Sequence, residues 1–137
     1  MENIKELCAL ALKARESSYS PYSNIKVGAA LLTADGEVFT GANVENAAYT
    51  PTVCAERVAF FSAVHSGKRE FRAIAIVGGK ASEPVSDFTA PCGVCRQVMA
   101  EFCDTDFKIY LVKSETEYTE LSLGELLPYG FGKGNIK

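Results

Sequence analysis

Long basic stretches, long apolar stretches, internal repeats and low-complexity linkers are all missing from this sequence of 137 residues. The longest basic grouping is Lys68-Arg69, and the formal net charge is -3. A protein that neutralises many phosphates needs clustered Lys and Arg, so a nucleic-acid partner is not expected. No apolar run approaches the roughly 20 residues that span a bilayer. The opening Met1-Glu2-Asn3-Ile4-Lys5-Glu6 carries no apolar core of a secretory signal. A cytoplasmic protein with no membrane partner is the expectation. With no composition break to divide it, 1–137 reads as a single domain.

Histidine is nearly absent. The single one, His65, lies eleven residues after Cys54, about 16 Å away along a helix that rises 1.5 Å per residue. That is too far to share a metal, and His65 reads as an exposed helix-end residue. The five cysteines are an odd number. They cannot pair fully, and a reducing compartment disfavours disulfides. Clustered thiols in such a protein bind metal or do redox chemistry.

Ile4, Leu7, Cys8, Leu10 and Ala11 recur at helical spacing and predict an amphipathic helix over 2–16. Residues 17–21 break it as a loop. Strands are predicted over 26–33 and 37–44, antiparallel across the Asp-Gly turn at Ala34-Asp35-Gly36. A helix over 55–65, with Val58, Phe61 and Val64 on one stripe, is closed by Gly67. A buried strand at 71–78 and a polar loop at 80–89 come next. Pro91 then opens a helix whose shared face is Val94, Val98, Met99 and Phe102. A strand at 107–113 completes a strand–helix–strand unit suited to a right-handed parallel crossover. Ser122-Leu123-Gly124-Glu125 fits a capping box for a short last helix ended by Pro128. The fold class is α/β, a mixed sheet flanked by helices.

The chemistry sits in Cys54-Ala55-Glu56 and Pro91-Cys92-Gly93-Val94-Cys95. Thiolates are soft ligands suited to zinc, and three of them leave the fourth tetrahedral position open for water. Cys54 and Glu56, if both were helical, would point about 200° apart. For both to face one site, Cys54 must stand at the helix start in non-helical geometry. All three cysteines then lie at helix N-termini, where unpaired N–H groups favour thiolate. Three thiolates on Zn²⁺ leave a net negative site, which Arg57 is placed to offset. A carboxylate beside an activated water can take its proton and pass it on, the role read for Glu56.

Each residue has a plainer alternative. A lone CxxC serves a redox pair or buried thiols equally well. Glu56 alone would be an ordinary acidic partner of a helix dipole. A structural zinc site would want a fourth ligand, for which Cys8 and Cys103 are the candidates, but both fit apolar helix faces and read as core. The joint pattern decides for zinc. A glutamate two residues after the first ligand, followed by Pro-Cys-x-x-Cys, is the known zinc-deaminase signature.

The wider sequence closely resembles the small homotetrameric, three-cysteine cytidine deaminases. The shared segments are Tyr22-Ser23, Val27-Gly28-Ala29-Ala30-Leu31 and Gly41-Ala42-Asn43-Val44-Glu45-Asn46-Ala47-Ala48-Tyr49. Cys54-Ala55-Glu56-Arg57, Pro91-Cys92-Gly93-Val94-Cys95-Arg96-Gln97 and Leu126-Leu127-Pro128-Tyr129-Gly130-Phe131 extend the match over nearly the whole chain. The resemblance implies a three-layer sandwich with one Zn²⁺ per subunit on Cys54, Cys92 and Cys95, and Glu56 as proton shuttle. It implies a nucleoside substrate whose ribose hydroxyls meet Asn43 and Glu45, with Ala55 and Ile25 at the base. It also implies a homotetramer in which Phe131 reaches a neighbouring subunit's site. Read from the residues alone, Asn43 and Glu45 would be a solvated loop, and Phe131 a tail residue packed on its own domain.

One position departs from the family pattern. Ile25 stands where an aromatic commonly packs on the pyrimidine, with Lys26 where proline is common. An aliphatic side chain keeps apolar contact but loses ring stacking. The function implied is hydrolytic deamination of cytidine and 2'-deoxycytidine to uridine, 2'-deoxyuridine and ammonia, in pyrimidine salvage. The alternatives are a deaminase of a modified cytosine nucleoside such as blasticidin S, and a catalytically idle zinc-binding protein of the same fold.

Overall fold

The structure is a computed structural model and describes residues 3–136. Helix α1 (Ile4–Arg15) comes first, capped by the Asn3 side chain accepting from Lys5 N–H at 2.9 Å. Residue 2, expected to begin this helix, lies outside the described residues. Strands β1 (Ile25–Thr33) and β2 (Val38–Ala42) form the expected antiparallel pair. Helix α2 (Ala55–His65), strand β3 (Phe71–Lys80), helix α3 (Gly93–Phe102) and strand β4 (Lys108–Val112) follow in the expected order. β3 and β4 run parallel. Strand β5 (Tyr118–Ser122), not expected from the sequence, pairs antiparallel with β4. The Ser122–Glu125 capping box then starts α4 (Leu123–Leu126).

The sheet order is β2-β1-β3-β4-β5. Strand periodicity divides its side chains between two cores. Leu7, Cys8 and Ala11 of α1 pack on Ala30, Leu32, Ala75, Val77 and Val112 from one face. Ala55, Ala59, Phe60 and Ala63 of α2, with Cys95 and Met99 of α3, pack on Ala29, Leu31, Ile74, Ile76 and Ile109 from the other. This is the three-layer α/β sandwich. Cys8 is fully buried in the α1 layer, and Cys103 packs beside the second core, both as expected. No helix among the described residues is long and apolar enough to cross a membrane.

Two helix faces differ from expectation. Phe61 is 50% exposed and Val94 is 56% exposed. On α2 three of the four buried apolar positions are alanines, Ala55, Ala59 and Ala63, with Phe60 the fourth, and the start of the helix lies too close to the sheet for larger residues at 55 and 59. At Gly41 of β2 a Cβ would stand 2.4 Å from the Ala55 carbonyl oxygen and 2.7 Å from the Ala59 nitrogen. On α3 the inward position of the first turn belongs to Cys95, buried one helical turn before Met99, which turns Val94 outward. Nor does Pro91 occupy the first helical position. Cys92 is the N-cap, so Pro91 stands one residue before it, fully buried.

Candidate metal and catalytic site

The site forms where the starts of α2 and α3 meet the end of β2. Cys54 is the N-cap of α2 with φ -76° and ψ 153°, the extended geometry required for it to share a face with Glu56. Cys92 is the N-cap of α3 in a similar conformation, φ -69° and ψ 167°, and Cys95 lies in the first turn. The three sulfurs lie within 4.8 Å of one another. Cys92 Sγ stands 3.6 Å from Cys54 Sγ and 3.5 Å from Cys95 Sγ. Thiolates tetrahedrally bound at 2.3 Å would be about 3.8 Å apart. The donor set and its spacing therefore fit a zinc ion, with the first turns of two helices supplying the protein ligands.

The charges are arranged to accept one. The Cys54 thiol is pulled down to about 5, chiefly by a hydrogen bond from Cys95, with Arg57 and Cys92 adding to it. Cys95, which supplies that hydrogen bond and is buried, is pushed far up. Arg57 donates from Nη2 to Cys54 Sγ at 3.5 Å, and its buried Nε has no hydrogen-bond partner among the described residues. One negative sulfur is thus held beside an arginine, and the Cys95 thiol surrenders its proton only to a strong cation. Glu56, 4% exposed, is raised to about 7, first by burial and further by the neighbouring Cys54 charge. That value suits a group that both takes and returns a proton near neutrality.

Asn43, Glu45 and Cys54 are brought together by short backbone pairings. Val44 pairs with Val53 through reciprocal N–H···O bonds of 3.0 and 2.9 Å, and Glu45 N–H donates to the Tyr19 carbonyl at 2.9 Å. The buried Asn43 side chain accepts from Val27 N–H at 2.9 Å and from the Ser18 hydroxyl, and donates to the Ile25 carbonyl at 2.9 Å. Asn43 therefore pins the first residues of β1, including Ile25, which is 43% exposed. Glu45 accepts from Tyr22 N–H at 2.9 Å, Ser23 N–H at 3.1 Å and the Ser23 hydroxyl. These bonds hold its carboxyl below the ordinary range. Ala55 is fully buried as the first residue of α2. Phe131 lies away from both cores and is 59% exposed; its carbonyl accepts from Gln97 Nε2 at 2.7 Å.

A cleft of about 310 Å³ opens beside Glu45, lined also by Tyr22, Ser23, Asn46, Tyr49 and Thr52. Sequence reasoning named no role for these five. The signal available was the carboxylate of Glu45, which requires donors, but Ser23, whose hydroxyl supplies one, stands 22 residues earlier in the chain.

Residues 1–111 match the family described as the cytidine and deoxycytidylate deaminase zinc-binding region. The chain belongs to this deaminase family. It is 46% identical over 134 residues to a cytidine deaminase of Sporosarcina psychrophila, covering 98% of this chain and 95% of that protein. To a cytidine deaminase of Halalkalibacterium halodurans it is 50% identical over 121 residues, 88% of each. The crystal structure of a cytidine deaminase from Burkholderia pseudomallei superposes with a TM-score of 0.83. It is 48% identical and covers 92% of this chain and 97% of that one. The family's zinc-binding description agrees with the three-cysteine cluster of this deaminase chain.

Proposed function

We propose that the chain catalyses zinc-dependent hydrolytic deamination of cytidine and 2'-deoxycytidine, giving uridine or 2'-deoxyuridine and ammonia. The observation that carries this is a buried carboxyl, Glu56, raised to about 7 two residues after a cysteine of the metal cluster. Cys54, Cys92 and Cys95 hold the zinc, one ion per subunit, and Arg57 offsets the charge of the thiolates. Zinc, when bound, supplies Lewis-acid activation of the attacking water. Glu56 takes a proton from that water and delivers it to N3 of the base, then takes the second proton, from the hydroxyl added at C4, and carries it to the departing amine as the C4 carbonyl forms. Asn43 and Glu45 hold the ribose, Ala55 and Ile25 bound the base, and position rather than chemistry is their contribution.

A free nucleoside is the substrate because a chain of net charge -3 with no basic cluster has no means of gripping a polyanion. Pyrimidine salvage in the cytoplasm is the setting this reading supplies. Assembly as a homotetramer, with Phe131 entering a neighbouring site, is supported by the exposure of Phe131, Tyr129 and Tyr49. Sedimentation should give four subunits, and a monomeric parent would sink that assembly.

Ammonia release from cytidine by zinc-replete protein, with Glu56→Ala as control, tests the activity. Release by the parent and none by a variant that retains zinc is expected. A zinc-bound parent that releases nothing from cytidine, but deaminates a modified cytosine nucleoside, would reject the substrate and direct attention to Ile25.

A further inference from the structure

Cys92 is delivered to the metal cluster by a segment with little backbone support. Residues 81–92 between β3 and α3 are irregular. Among the described residues, the backbone of 84–91 makes two hydrogen bonds. One is local, from Phe88 N–H to the Asp87 carboxylate at 2.8 Å. The other is accepted by the carbonyl of the fully buried Pro91, from Arg96 Nε at 2.8 Å. Arg96 Nη1 donates to the Leu126 carbonyl at 2.7 Å, an acceptor that the end of α4 leaves unpaired. One guanidinium thus ties the residue before Cys92 to the C-terminal element, and it belongs to the residue after Cys95. Val85 and Phe88 also anchor the segment through their side chains. Those anchors stand seven and four residues before Cys92.

We infer that Arg96 is a positioning residue of the metal cluster: its bridge between the Pro91 and Leu126 carbonyls sets Cys92 Sγ beside Cys54 and Cys95. The inference rests on the metal-binding part of the proposed function, not on its substrate. Removing the strut leaves the Pro91 carbonyl buried without a donor and frees the Cys92 junction to move. Lysine keeps the charge, but a single ammonium replaces the planar fork that meets two carbonyls at once.

The test compares the parent with Arg96→Met and Arg96→Lys. Zinc release to excess chromophoric chelator is timed, and thiolate-to-cobalt absorption is recorded on the cobalt(II) forms. Metal-free thermal melts are run beside them. Roughly tenfold or faster zinc release and altered cobalt absorption are expected for Arg96→Met, with a cooperative metal-free melt retained. Arg96→Lys should fall between it and the parent. Parental release and parental cobalt absorption in both variants would overturn the assignment. If Arg96→Met does not fold, Arg96→Lys decides alone. Failure of both to fold makes Arg96 a support of the whole fold and overturns a role specific to the cluster. A parent that binds neither metal removes the inference together with the metal reading. Absence of cytidine turnover alone leaves it standing.

Discussion

Two carboxyls at this site are driven in opposite directions by their surroundings. Burial raises Glu56 to about 7, whereas three donors from Tyr22 and Ser23 hold Glu45 ionised. The first is fitted to exchange protons and the second to accept hydrogen bonds. Glu45→Ala should therefore raise KM for cytidine roughly ten- to hundredfold, as loss of a charged hydrogen-bond acceptor does. Zinc content should stay parental and kcat should change far less. The backbone donors of Tyr22 and Ser23 are exposed and water can replace the carboxylate, so melting should fall only slightly. Steady-state kinetics beside a thermal melt separate the outcomes. A parental KM with a lowered melting temperature would make Glu45 a turn-former and nothing more.

At the scale of elements, the position of the cysteine cluster depends on how closely α2 lies on the sheet. Gly41 permits that approach, since its missing Cβ would collide with backbone atoms of Ala55 and Ala59 that cannot yield. Gly41→Ala should push the start of α2 outward, destabilise by about 1–3 kcal/mol, and weaken zinc binding through Cys54. Gly93 in the first turn of α3 is the control. A Cβ there meets nothing within 4 Å, so Gly93→Ala should be neutral or stabilising by up to about 1 kcal/mol. Denaturant unfolding and zinc titration of the two variants check this. Equal behaviour of both would reject the close-approach argument.

Much of this level was legible from residues. The roughly 200° conflict between Cys54 and Glu56 required an extended Cys54, and the structure has one. Asp35-Gly36 and Ser122–Glu125 marked their turn and cap through local chemistry. The inward faces of α2 and α3 were less legible. There large apolar residues compete with small ones, and tertiary proximity selects Ala59 and Cys95 over Phe61 and Val94. β5 was missed because Tyr-Thr-Glu-Leu-Ser at the sheet edge is too polar to resemble a buried strand. Asn43 could be read as a loop residue because nothing local reveals that its amide pairs with β1, more than fifteen residues earlier.

Across the whole molecule, the cysteine cluster joins two helices of one layer at their N-termini, Cys54 on α2 and Cys92 with Cys95 on α3. An ion bound there ties the two helices together and has no comparable site in the unfolded chain, so its binding energy adds to folding stability. With free zinc at 100 to 1,000 times its dissociation constant, the gain is about 3–4 kcal/mol. For a chain of this length that corresponds to a rise in melting temperature on the order of 10 °C. The rise should depend on pH in one direction. Cys95 is held protonated without metal, and a thiol must release its proton to become a ligand, so acid opposes binding. The gap between zinc-saturated and chelator-treated protein should therefore narrow as pH falls from 8 towards 5. Scanning calorimetry of both forms across that range measures it. Coincident melts at pH 8 would mean that the cluster binds no ion tightly, and a gap that widens towards acid would mean that the ion is not held by thiolates.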